Sequence, residues 1–136
     1  MSQRCAVMQP TFLPWAGYFR LMAAVNHFVY LDNVQLTRRS WQTRNRILNN
    51  GAIRWIGVPI AHAGQEQLIC TTQIAEDTRW RGKLCRQLQQ SYARHPFALE
   101  LGVLLDEIEQ LSIATLADLN IALIDSCAQQ LNIATP

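Results

Sequence analysis

The densest group of residues suited to binding chemistry directly follows a short apolar run that ends at Leu31. Residues 32–46 read DNVQLTRRSWQTRNR and combine four arginines with a tryptophan and several amides. A guanidinium group binds phosphate or carboxylate through a planar pair of donors, and tryptophan offers a flat face to a ring or a cation. The segment therefore predicts a site for an anionic small molecule. The alternative is a solvated arginine-rich face that pairs with the acidic end of the chain.

Two chemical roles are assigned within this segment. Asp32 comes at the end of a predicted strand, where a carboxylate can act as a general base, although an Asp beside an Asn is also typical of a turn. We take Asp32 as the candidate catalytic residue. The candidate ligand-binding residues of the segment are Gln35, Arg38, Trp41, Arg44, Asn45 and Arg46.

A second candidate region is the loop 9–19, QPTFLPWAGYF, between a predicted strand and a predicted helix. The first amides of a helix can face an anion, and prolines with a glycine restrict the loop. We expect Gln9, Trp15 and Tyr18 to face a ligand. Phe12 and Phe19 are assigned to the core, the more usual place for such rings.

The charges are divided along the chain. Residues 1–94 hold all twelve basic residues, eleven of them Arg, and four acids, whereas residues 95–136 hold six acids and no Lys or Arg. The formal net charge is nevertheless only +2, and no nucleic-acid-binding motif occurs. We therefore expect an anionic small molecule as the partner rather than nucleic acid.

The elements that would position these residues are predicted from the apolar pattern. A strand over 5–8, a helix over 18–25 and a strand over 28–31 form a β-α-β unit with a parallel pair of strands. Asn49-Asn50-Gly51 predicts a hairpin between strands 46–48 and 53–59, because Asn-Gly tolerates the positive φ of a tight turn.

The last third of the chain has helical spacing. Asp77 is the predicted cap of a helix that ends at Tyr92, and Thr115 is the predicted cap of the last helix. The apolar positions of the three helices are Trp80, Leu84, Leu88, Tyr92; Leu101, Leu104, Leu105, Ile108; and Leu119, Leu123, Cys127. The fold class is α/β, with a strand-helix-strand unit, a central hairpin and a helical C-terminal third.

Composition restricts the class of protein further. A length of 136 residues favours a single domain, 1–136. No apolar stretch reaches the roughly 18 residues of a membrane span, and the first ten residues lack a secretion signal, so we expect a cytoplasmic protein. The four cysteines form no C-x-x-C pair and predict reduced, buried thiols, and we assign no metal site. The sequence specifies no cofactor.

The segments QPTFLPWAGYF, HFVYLDNVQ, RRSWQTRNRI and IRWIGVP, in this order, resemble the WbqC-like protein family. Weaker matches continue through WRGK and LADLNIALI. The first strand and loop are also similar to nucleotidylyltransferases of the HxGH type, where residues 15–18 occupy the motif position without its histidines. A Rossmann-like start of the chain is the fold that this likeness implies.

The resemblance implies a role in bacterial surface-polysaccharide (O-antigen) or nucleotide-sugar biosynthesis, with a transferase as the kind of enzyme expected. Lys83, within the WRGK match, then joins the candidate ligand-binding residues that would hold phosphates. Members of the family extend beyond the LADLN-type helix, so the chain is expected to lack their C-terminal stretch. The alternative function is a non-catalytic module that oligomerises through the surface left uncovered.

Overall fold

A computed structural model describes residues 2–76 and 79–136. The fold is mixed α/β, as predicted, with two small sheets followed by helices. The elements are β1 (Cys5–Met8), α1 (Ala16–Ala23), β2 (His27–Tyr30), β3 (Arg44–Asn49), β4 (Ala52–Gly57), α2 (Trp80–Tyr92), α3 (Leu101–Gln110) and α4 (Leu116–Gln130). Within the described residues, no helix is long and apolar enough to cross a membrane.

The first sheet confirms the strand-helix-strand order. β1 and β2 pair in parallel, with Cys5 opposite His27 and Met8 opposite Tyr30, and α1 connects them. Because α1 begins at Ala16, the helix is shifted two residues toward the N-terminus from its predicted bounds. In the described part of the chain this sheet has two strands, so the structure provides the β-α-β unit without a larger Rossmann-like sheet.

The second sheet is the predicted hairpin. Asn49 pairs with Ala52, and the two turn residues Asn50 and Gly51 have φ values of 50° and 75°. Positive φ at both turn positions matches the twist of the strands, which is why Asn-Gly specifies this turn. Since side chains alternate across a strand, one face of the hairpin contributes Ile47 and Ile56 to the core and the other faces solvent.

Helices cover the core face of the hairpin. Trp80, Leu84 and Leu88 are buried along α2, whereas Tyr92 is 38% exposed. The predicted cap of the last helix is confirmed, because the Thr115 side chain accepts a hydrogen bond from the Asp118 amide at 3.3 Å. The predicted cap of α2, Asp77, lies outside the described residues.

Two apolar clusters meet on α4. The larger one packs the hairpin against α2, α3 and α4, and the smaller one packs β1, α1 and β2 against the C-terminal part of α4. Cys127 contacts both clusters. Phe12 and Phe19 are buried as predicted. Of the four thiols predicted to be buried, Cys85 is buried and Cys70 and Cys127 are partly buried. The prediction was wrong for Cys5, because β1 belongs to a two-stranded sheet that leaves this side chain exposed.

Candidate functional site

A basic cleft of about 850 Å³ lies between the hairpin and α2. Its walls are the segment 38–44, the base of the hairpin with the residues that follow it, and the solvent-facing side of α2. None of the described residues that line it is acidic. The cleft brings together six basic side chains and one histidine: Arg38, Arg39, Arg44, Arg79, Lys83, Arg86 and His62.

Helix α2 supplies one wall of this basic cleft. Trp80 and Leu84 are buried against the core and fix the orientation of the helix, so that Lys83 and Arg86 face outward. Arg79, just before the helix, lies four residues before Lys83, a spacing that places the two cations side by side. Like charges at this spacing repel each other, and a bound anion would relieve that repulsion.

The opposite wall requires close backbone packing. The amide of Val58 donates to the carbonyl oxygen of Thr43 at 2.8 Å. A Cβ atom on Gly57 would lie 2.9 Å from that same oxygen, so only glycine fits here without a shift. Arg39 has a φ of 52°, a left-handed conformation that turns the chain between two cleft arginines. The base of the hairpin and the arginine segment are thus held against each other.

Arginines and tryptophans alternate on the solvent face of the hairpin. The Arg44 guanidinium lies 4.1 Å from the centre of the Trp55 ring. The rings of Trp41 and Trp55 stack with centroids 6.1 Å apart, and the Arg46 guanidinium lies 5.6 Å from both. Cations over aromatic faces attract the ring quadrupole, so each ring helps to position a guanidinium.

A second, apolar groove of about 640 Å³ lies on the other side of the tryptophan pair. It is formed by the loop that precedes α1 and by the tip of the hairpin. Trp15 is 73% exposed along this groove, and its ring lies where a Cβ of Gly17 would be, only 1.7 Å from the nearest ring carbon. The groove is lined by Met8, Thr11, Pro14, Trp15, Tyr18, Trp41, Asn45, Arg46, Ile47, Leu48 and Ile53.

Hydrogen bonds attach the loop to the rest of the fold. The amide of Phe12 donates to the Trp41 carbonyl at 2.8 Å, and the Asn45 side chain donates to the Leu13 carbonyl at 2.7 Å. From α4, the fully buried Asn120 side chain donates to the carbonyls of Pro10 at 3.0 Å and Gln42 at 2.8 Å. One buried amide therefore holds both candidate segments.

Gln9 and Tyr18 are placed inside this network. Tyr18 lines the groove but is only 1% exposed, and its hydroxyl donates to the Gln9 carbonyl at 3.0 Å. Burial, with a smaller contribution from Asp125, raises the pKa of Tyr18. The Gln9 side chain accepts a hydrogen bond from the Gln42 side chain. Both residues thus support the loop from within.

The remaining predicted residues separate into two groups. Arg38, Arg44 and Lys83 line the basic cleft, whereas Trp15, Trp41 and Arg46 line the apolar groove together with Asn45. Asp32 and Gln35 are among the described residues but line neither of them. The Asp32 carbonyl accepts from the Cys70 amide at 2.8 Å, and the Gln35 side chain donates to the Gln65 carbonyl at 2.7 Å.

Sequence reasoning missed several residues of the site. The two-residue turn at Asn50-Gly51 already requires Trp55 to pair with Arg46 and so to share its face. Helical spacing from Lys83 likewise indicates Arg86. For Asn120 and His62 no signal in the sequence was available, because their role depends on long-range packing. Within residues 2–76 and 79–136, no group of three His, Cys, Asp or Glu side chains could hold a metal ion.

Comparison with known proteins assigns the family. A model of the WbqC-like protein family matches residues 9–136, which is most of the chain and includes the lining of the basic cleft and that of the apolar groove except Met8. The chain belongs to this family. No solved structure matches it.

A relative in Mycobacterium tuberculosis (strain ATCC 25618 / H37Rv) is named "Uncharacterized protein Rv1507c". It is 33% identical to this WbqC-like chain over 91 residues. The matched region is 67% of this chain and 39% of the relative, so the chain spans well under half of that protein.

Proposed function

We propose that this WbqC-like chain binds a nucleotide-linked, anionic small molecule, with a pyrophosphate in the basic cleft. The observation that carries the proposal is the convergence of six basic side chains on one cleft whose described lining contains no acid. Its volume of about 850 Å³ lies within the range of roughly 300–1,000 Å³ that is typical of small-molecule sites.

The electrostatics of the cleft favour a compact polyanion. Within the described residues, the ion pair that forms on this part of α2 joins Arg81 to Glu76 at 2.7 Å, and Arg81 does not line the cleft. The cleft cations, in contrast, have no carboxylate within 4 Å among those residues. Cations that are concentrated in this way attract anions, and they repel one another when no anion is bound. A pyrophosphate supplies several acceptor oxygens to paired guanidinium donors.

The ring part of the ligand is assigned to the edge of the cleft. Trp55 lines the cleft, and the Arg44 guanidinium lies over its ring at 4.1 Å from the ring centre. A phosphate site next to an arginine stacked on an aromatic ring suits a nucleotide, because the base can stack on the guanidinium plane while the other arginines bind the phosphates. Together with the family membership, this supports a transferase role in surface-polysaccharide (O-antigen) or nucleotide-sugar biosynthesis.

The catalytic assignment of Asp32 stays a prediction. Its backbone is fixed by the Cys70 amide just after β2, outside the lining of the basic cleft. The nucleotide-binding proposal stands without it, since binding depends on the cations.

Thermal unfolding with ligands tests the proposal. Inorganic pyrophosphate and UDP-, dTDP-, GDP- and CMP-linked sugars should raise the melting temperature, because a ligand that binds only the folded state stabilises it. Arg44→Ala should reduce the shift strongly. Arg54→Ala is the matched control, since Arg54 is on the same hairpin and lines neither the cleft nor the groove. No shift with any of these ligands at low salt would contradict the proposal.

A second candidate function, an oligomerising assembly module, is favoured by one surface of the first sheet. Val7 and Val29 are register partners on that sheet and remain 53% and 46% exposed. Apolar pairs at the edge of a small sheet are typical of surfaces that another chain or segment covers. Light scattering after gel filtration tests this candidate: a monomer at all concentrations, with Val7→Lys unchanged, would exclude it.

A further inference from the structure

We infer that the apolar groove is a second ligand site, separate from the basic cleft, for a small molecule that joins an aromatic ring to one anionic group. This goes beyond the proposed function, in which the basic cleft alone holds the nucleotide-linked ligand.

The side chains that line the groove are suited to binding an apolar ring. Trp15, Leu48 and Ile53 are 73%, 65% and 62% exposed, although large apolar side chains are usually covered. They converge on one concave surface of about 640 Å³ rather than being scattered. A concave apolar surface of this size with few polar groups is the usual form of a small-molecule site.

Hydrogen bonds connect the two walls of the groove. The loop wall is attached to the hairpin wall by the Phe12–Trp41 and Asn45–Leu13 hydrogen bonds at 2.8 and 2.7 Å. Trp15 folds back over Gly17, where any larger residue would displace its ring. A site whose walls are connected in this way loses little entropy when it binds a small molecule.

The single charged residue in the described lining indicates which ligand would bind in the groove. Arg46 is the charged residue among the described lining, and its guanidinium lies 5.6 Å from each ring of the Trp41–Trp55 pair. A carboxylate, sulfonate or phosphate at Arg46 would leave the rest of the ligand against Trp15 and Trp41. This charge complementarity favours an aromatic anion over a neutral apolar molecule.

The two sites can be filled together. No described residue lines both the cleft and the groove, and the stacked Trp41 and Trp55 rings lie between them. A ligand at either site therefore leaves the lining of the other accessible.

The test uses 8-anilinonaphthalene-1-sulfonate, an aromatic anion, as the probe with the full chain. We expect one probe per chain, and Trp15→Ala and Arg46→Gln should each weaken its binding about tenfold by removing ring contact or charge. N-phenyl-1-naphthylamine, which lacks the sulfonate, should bind more weakly and should be insensitive to Arg46→Gln. Saturating pyrophosphate should leave the probe affinity unchanged.

Matched controls keep the result specific. Phe97→Ala removes an aromatic side chain that is 75% exposed elsewhere, and Arg54→Gln removes a charge from the same hairpin; neither residue lines the groove. Both variants should bind the probe like the unchanged chain. Equal loss in these controls, displacement of the probe by pyrophosphate, or dissociation of a dimer by Trp15→Ala would each overturn the inference. Failure of pyrophosphate to bind, with probe binding intact, would instead contradict only the proposed function.

Discussion

The basic cleft and the apolar groove share one hairpin but have opposite chemistry. Arg44 and Arg46 are two residues apart on β3 and point to the same face, yet the first lines the cleft and the second lines the groove. The difference comes from the second wall of each: α2 contributes cations, whereas the loop before α1 contributes aromatic and apolar side chains. The hairpin is thus a common platform, and its packing partners decide what can bind.

Both regions depend on Asn120, so its substitution should have the largest effect. Asn120→Ala removes the donor to the Pro10 and Gln42 carbonyls and leaves a cavity in the core. We expect the free energy of unfolding to fall by roughly 3 kcal/mol, and both pyrophosphate and the aromatic probe to bind more weakly. Urea denaturation measures the first effect. Gln130→Ala, an exposed change on the same helix, should cost under about 0.5 kcal/mol.

The buried Cys85 thiol of α2, the helix that forms one wall of the basic cleft, should make the protein less stable at alkaline pH. Burial and nearby Glu109 raise the pKa of the Cys85 thiol to about 11 from a usual value of 9.0. Between these values the unfolded chain loses the thiol proton first, so the free energy of unfolding falls as pH rises, by roughly 1 kcal/mol or more. The pKa of Cys127 is also raised to about 11 by burial, so Cys85→Ala should remove only part of the slope.

Urea titrations at several pH values measure this dependence. Gln130→Ala, an exposed substitution that removes no thiol, is the control and should leave the slope unchanged. A slope unaffected by Cys85→Ala would show that this helix is less firmly packed than the structure indicates.

Gly17→Ala should weaken ligand binding in the apolar groove without affecting binding in the basic cleft. The added Cβ would lie 1.7 Å from the Trp15 ring, which must swing away from the groove. Because alanine also favours a helix over glycine, we expect a change in stability below about 1 kcal/mol. Fluorescence titration should show probe binding weakened about tenfold, with pyrophosphate binding unchanged. Loss of both ligands would mean that the two regions are not independent.

The smallest effect concerns the cleft alone. Lys83→Gln relieves repulsion with Arg79 and Arg86, so the ligand-free chain should gain about 0.2–0.5 kcal/mol of stability while it binds pyrophosphate more weakly. Thermal unfolding with and without pyrophosphate measures both the gain in stability of the ligand-free chain and the weaker binding of pyrophosphate. In about 1 M salt the gain should disappear, because exposed charges are then screened. A loss of stability without ligand would contradict the repulsion.

Prediction from sequence succeeded where the cause is local. The Asn50-Gly51 turn, the Thr115 cap and the spacing of Trp80, Leu84 and Leu88 each depend on a few neighbouring residues. The start of α1 was predicted two residues too late, because Trp15 at its N-cap makes no side-chain capping bond that would signal the boundary. The grouping of candidate residues was also incomplete, because the continuous segment 32–46 contributes residues to both the basic cleft and the apolar groove.

The amino-acid order of this WbqC-like chain specifies its helices and strands and the residue types that are available for binding. Tertiary packing brings Arg38 and Arg39 together with Arg79 and Arg86 in the basic cleft, and it brings Arg46 together with Trp15 in the apolar groove. The physical reason is that turns, caps and helical faces arise from interactions over a few residues. Convergence of side chains that are far apart in the sequence depends instead on how α2 and the loop before α1 pack against the hairpin.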